Sequence, residues 1–207
     1  MGVAPVSRAR LVDVRIPDSP MGAVLVLHGG AARSGRIEVS PTQFSVLRMI
    51  PIARRIAAAG KGRLAVYRLL NSARGWDPSR TPVEDARWAL DEIASHHGDL
   101  PVGLVGHSLG GRAALLAAGA PSVRSVVALN PWVYPDDDAD LSGRQVLIVH
   151  GTDDRVALAS RARAVAESLA QRTSVEFRDI AGGGHAMLRH APSFERAASA
   201  FLTDSLL

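Results

Sequence analysis

The feature that most limits how this chain can fold is a recurrence of short, continuously apolar segments, each stopping at glycine or a polar turn. Val24 to His28 reads Val-Leu-Val-Leu-His and ends in two glycines. Leu64 to Leu70, Val102 to Val105, Val123 to Leu129, Val146 to Val149 and Ser174 to Ile180 read as similar runs. Segments this short with no polar face are strands that must be covered on both sides. Arg10 to Ile16 instead alternates apolar and charged residues, the pattern of an edge strand with one face in water. Between these runs the apolar period lengthens to that of a helix. Pro82 at a first turn precedes Val83, Ala86, Ala89, Leu90 and Ile93, with Glu84 and Asp85 favourably placed for the helix dipole. Leu158, Ala162, Val165 and Leu169 mark one face of another helix, and Phe194 to Leu202 reads helical. Ser45 to Ala59 reads helical too, with Pro51 either kinking it or beginning it. The pattern predicts one α/β domain spanning 1–207, a mostly parallel sheet of about seven strands with helices on both faces.

Composition narrows the function classes. With 207 residues, 47% of them hydrophobic, the chain can bury a full core without staples. It has no cysteine, which removes disulfides, thiolate metal sites and any cysteine nucleophile. The net charge is only +4, from 24 basic and 20 acidic residues. Lys61 is the sole lysine, and the arginines are scattered rather than gathered into a patch. With only 4% aromatics as well, a nucleic-acid partner is not expected. No apolar run reaches the roughly 18 residues of a membrane span. Charges through the first twenty residues break up any secretory leader, so a cytoplasmic location is the default expectation.

In parallel α/β sheets ligands sit beyond the carboxyl ends of the strands, and three of those ends carry chemistry. Leu104-Val105-Gly106-His107-Ser108-Leu109-Gly110-Gly111 is a strand running into a helix through a G-x-S-x-G turn. Such a turn lifts the serine hydroxyl above the sheet and sets the Leu109 N–H at a helix N-terminus, where it can face a developing oxyanion. A serine hydroxyl needs a base, and the base needs an orienting carboxylate. Val146 to Val156 is a strand ending in Gly151-Thr152-Asp153-Asp154, and Phe177 to His185 is the next, ending in three glycines and a histidine.

With these motifs the chain resembles the α/β-hydrolases over essentially its whole length, in particular small serine esterases without a cap and the dienelactone-hydrolase-like branch. The matching residues are His28-Gly29-Gly30, Gly106-His107-Ser108-Leu109-Gly110, Gly151-Thr152-Asp153-Asp154 and Gly184-His185. The resemblance implies Ser108 as nucleophile, Asp154 as acid and His185 as base, with the Gly30 and Leu109 amides as oxyanion hole. Ala31 is the alternative to Gly30. Ala157 departs from the pattern, standing where many relatives carry proline.

Several positions compete for these roles. Asp153 is the alternative acid, and Asp136, Asp137, Asp138 and Asp140 follow the preceding strand, where some relatives place it; they otherwise read as a solvated loop. His28, His107 and His150 read as structural, and His96, His97 and His190 as surface or helix positions. No histidine pair has metal-ligand spacing, so neither metal nor cofactor is expected. Lys61 lacks the serine or threonine of a phosphate loop, and no dinucleotide fingerprint follows the early strands. Only about fifteen residues separate Leu129 from Gln145, too few for a cap domain, so an open site is expected. Trp132 and Met187 are candidate pocket residues for a small ester-like substrate. The expected reaction is carboxylic ester hydrolysis through an acyl-enzyme. The alternatives are acyl transfer on the same residues, told apart by competing nucleophiles, or a non-catalytic binding relative. Nothing in the sequence speaks to oligomeric state.

Overall fold

The computed structural model describes residues 8–30, 37–137 and 139–207. Seven strands follow along the chain: β1 (Arg10–Arg15), β2 (Gly22–Leu27), β3 (Leu64–Leu70), β4 (Val102–His107), β5 (Val123–Leu129), β6 (Gln145–Gly151) and β7 (Ser174–Ile180). They form one sheet in the order β1-β3-β2-β4-β5-β6-β7. Only β1 runs antiparallel, against β3. The helices are α1 (Phe44–Leu47), α2 (Met49–Ala59), α3 (Thr81–His97), α4 (Leu109–Ala117), α5 (Ala159–Ala170) and α6 (Ala191–Leu206). The expected single α/β layer structure is therefore present, and the β5–β6 connection carries no cap.

The period of two along each strand sorts the core into two layers. Leu25, Leu27, Leu104, Val126 and Ile148 point to the face covered by α3, α4 and α5. Val24, Val26, Val105, Val127 and Leu147 point to the opposite face, covered by α2 and α6. The chain moves from β2 outward to β3, then returns past β2 to β4. That reversal sets the loop after β2 beside the turn after β4, and a crevice opens at such a switch point.

Two elements differ in detail from the sequence reading. β7 is not buried on both faces: its residues alternate between half-buried and exposed, because it ends the sheet and only α5 covers it. The Ser45–Ala59 segment divides at Arg48 into α1 and α2, with Pro51 in the first turn of α2. There its missing N–H is one of the donors that a helix start leaves unpaired anyway. No described helix is long and apolar enough to cross a membrane.

Phe194 of α6 is fully buried against the sheet, whereas Phe44 of α1 is 84% exposed. Phe194→Ala is expected to cost about 3–5 kcal/mol in urea denaturation, while Phe44→Ala stays within about 0.5 kcal/mol.

Candidate active site

The turn after β4 is as tight as the sequence implies. Ser108 takes φ 57° and ψ −122°, a conformation costly for any residue with a side chain. It exists because Gly106 and Gly110 pass in contact: a Cβ on Gly106 would lie 2.1 Å from the Gly110 carbonyl oxygen. Backbone bonds hold the turn, from Ser108 N–H to the Leu129 carbonyl (3.0 Å) and from Trp132 N–H to the Ser108 carbonyl (3.1 Å). Leu109 opens α4, so its N–H belongs to the unpaired first turn of a helix.

Ser108, His185 and Asp154 meet above the sheet. His185 Nε2 lies 3.0 Å from Ser108 Oγ and accepts its hydroxyl proton in a hydrogen bond. His185 Nδ1–H donates to Asp154 Oδ2 at 2.8 Å. The second carboxylate oxygen, Oδ1, accepts the Val156 and Ala157 N–H groups at 2.8 and 2.9 Å. Burial pushes the Asp154 carboxyl upward, but the bonds from His185, Val156 and Ala157 outweigh it and hold the group below its ordinary value. Asp153 projects into solvent one residue away, so the geometry selects Asp154 as the partner of His185.

A cavity of about 450 Å³ opens on these atoms. Gly30, Leu109 and Trp132 line it, whereas Ala31 and Asp138 lie outside the described residues. Met187 does not face the cavity. It is 3% exposed and packs in the apolar core under α6, so the substrate contact expected for it is corrected to a packing role. The acidic loop after β5 is not simply solvated either: Asp137 takes two bonds from Arg112 (2.6 and 2.9 Å) and one from the Tyr134 N–H. Among the described residues no group of three or more His, Asp or Glu is gathered as a metal site requires.

No family model and no curated protein sequence matches this chain. Solved structures do. An α/β serine hydrolase homologue from Coxiella burnetii superposes with a TM-score of 0.74 at 19% identity, covering 97% of this chain and 94% of its own. A lidless α/β serine hydrolase from Xanthomonas campestris gives 0.73 at 20% identity, covering 98% and 91%. Est1E from Butyrivibrio proteoclasticus gives 0.67 at 16%, covering 95% and 93%. The fold is that of the α/β-hydrolases.

Within this α/β-hydrolase fold, two further residues organise the site. Asn130, fully buried at the end of β5 with φ 42°, joins the acid loop to the histidine loop. Its Oδ1 accepts the Gly151 N–H at 2.8 Å, while its Nδ2 donates to the Gly184 and His185 carbonyls at 3.1 and 3.2 Å. The sequence carried a signal for it, an asparagine at a strand end before proline, a position that tolerates positive φ. His107 is the second. Its Nε2–H donates to the His185 carbonyl at 2.7 Å. Burial first, then the neighbouring His185 and Arg48 charges, pushes the His107 pKa down to about 3. His150 is also fully buried and donates from Nε2 to the Ala157 carbonyl at 3.1 Å, and burial lowers its pKa. His28 is held between the Gly29 carbonyl and the Asn71 N–H. The remaining histidines lie away from the crevice, His97 against Tyr67 Oη and His190 at the start of α6.

Asn130→Ala leaves buried backbone groups on two loops unpaired and keeps a strained φ, so a loss of about 2–4 kcal/mol is expected in denaturant titration. For His107, the unfolded chain holds a proton between pH 6.5 and about 3 that the folded chain does not. Stability therefore falls as pH drops through that window, by up to about 1.4 kcal/mol per pH unit from this group. Urea titrations at pH 7 and pH 4.5 should show a smaller loss in His107→Gln, which keeps a donor but cannot titrate.

Proposed function

We propose that this protein is a serine hydrolase of carboxylic ester-like bonds, with Ser108 as nucleophile, His185 as general base and Asp154 as its orienting acid. The observation that carries the reading is the unbroken run of hydrogen bonds from Ser108 Oγ through the His185 ring to Asp154. The esterase and serine-hydrolase names borne by structural neighbours are in keeping with it.

In the proposed reaction His185 Nε2 takes the Ser108 proton as Oγ attacks the substrate carbonyl carbon. The buried Asp154 carboxylate holds the imidazole with its proton on Nδ1 and stabilises the imidazolium that forms. Negative charge on the former carbonyl oxygen is met by the Leu109 and Gly30 N–H groups. Each such donor is worth about 3–4 kcal/mol of barrier. Collapse of the tetrahedral intermediate expels the alcohol, which takes the proton from His185 and leaves an acyl group on Ser108. Water, deprotonated by the same imidazole, then releases the acid and restores the hydroxyl.

Fluorophosphonate labelling and turnover of 4-nitrophenyl esters test this. Ser108→Ala is expected to abolish labelling and lower kcat by about 10⁴-fold or more, with His185→Ala similar. Asp154→Asn is expected to lower kcat by about 10⁴-fold, and Asp153→Asn to leave it within a few-fold. Undiminished labelling of Ser108→Ala removes the proposed nucleophile.

A further inference from the structure

The cavity above Ser108 holds charge that neither the fold nor the proposed chemistry uses. Two arginines line it, Arg48 from the α1–α2 junction and Arg112 from α4, and no Asp or Glu is among its described lining residues. Arg112 is already matched. Asp137 takes its Nε and Nη2, and its guanidinium lies over the Trp76 ring (4.1 Å) and faces the Tyr134 ring (4.9 Å). Arg48 has no such arrangement. It is half-buried, its Nε is shut off from solvent, and its guanidinium makes no hydrogen bond or ion pair with any described residue. The Nε atoms of Arg74 and Arg144 are also buried and unpaired, but neither side chain lines the cavity.

A buried donor on a charged group is costly unless something binds it. Burial already lowers the pKa of Arg48, and its charge helps depress that of His107, so it acts electrically on the floor of the site. Three residues before it on the same wall stands Ser45, whose Oγ accepts from Gln43 Nε2 at 2.8 Å and keeps its own O–H to donate. A guanidinium and a hydroxyl lining one cavity three residues apart can together meet the two oxygens of a carboxylate. Apart from Ser108, the two histidines and the paired Arg112, the other lining side chains, Trp76, Trp132, Leu109 and Val156 among them, are apolar or aromatic, so Arg48 is the one lining charge with no counter-charge among the described residues.

From this we propose that Arg48, assisted by Ser45, is a carboxylate-binding subsite, and that the substrates of this site are esters that also carry a free carboxylate. The inference rests on the serine-hydrolase reading and narrows its substrate class.

The test compares matched esters that differ in charge. The mono-4-nitrophenyl ester of adipic acid is set against 4-nitrophenyl hexanoate, placing the carboxylate on the acyl side. 3-Acetoxybenzoate is set against phenyl acetate, placing it on the alcohol side. In the wild type, kcat/KM is expected to favour the acidic member of at least one pair by about tenfold or more. Arg48→Gln should collapse that ratio toward one, Arg48→Lys should keep part of it, and raising salt should shrink it in the wild type and in Arg48→Lys but not in Arg48→Gln. Circular dichroism confirms that each variant is folded. Wild-type ratios near one in both pairs, or a preference that survives in Arg48→Gln, overturn the subsite while leaving the hydrolase reading intact. Labelling by fluorophosphonate without turnover of either acidic ester overturns it too. Absence of both labelling and turnover in the wild type removes the hydrolase reading, and the subsite with it.

Discussion

Close backbone contact at the carboxyl edge of the sheet is the condition on which everything else in this molecule depends. Gly106 touches Gly110 within the β4 turn, and a Cβ on Gly151 would sit 2.1 Å from the Gly183 carbonyl oxygen. The first contact forces Ser108 out of the sheet. The second presses the acid loop against the histidine loop, where the Asp153 N–H bonds the Gly183 carbonyl at 2.9 Å. A side chain at either place would meet backbone atoms at 2.1 Å, and the turns that carry the three polar groups would have to shift.

Around that contact the polar interior is arranged so that each buried group has one defined state. Asn130 spends its carbonyl on one loop and its amide on the other, which fixes their relative height. His107 and His150 are held neutral by burial and turned by single bonds to backbone carbonyls. Asp154 is the buried acid in contact with His185, and backbone N–H groups occupy its other oxygen. The imidazole therefore has one carboxylate to lean on and one hydroxyl to meet. Preorganisation of this kind is what a proton transfer between weakly matched groups requires.

The strands were legible because short apolar runs that stop at glycine or polar turns are too brief for helices. Leu64–Leu70, Val123–Leu129 and Ser174–Ile180 have the bounds the apolar runs suggested. The exposure of β7 was also written in its alternation, Ser-Val-Glu-Phe-Arg-Asp-Ile, which a reading of it as a buried run passed over. The pairing of Ser108, Asp154 and His185 was legible in kind, as three loop residues after successive strand ends. The resemblance named Asp154, but spacing alone left Asp153 open, because one residue of turn decides which carboxylate faces inward. Met187 misled for a similar reason: two residues past His185, at φ 57°, the chain turns back and buries the side chain in the core.

Local pattern alone settled the layers of this protein, the order of its elements and the short list of residues that could meet, since periodicity and turn chemistry act between neighbours in the chain. Which of them do meet, and what surrounds them, was left to the packing of distant segments. The bracing by Asn130, the pairing of Arg112 with Asp137 and the unmatched charge of Arg48 all join parts of the chain that no local rule relates. Electrostatic matching depends on distance through space, and only the folded sheet sets those distances.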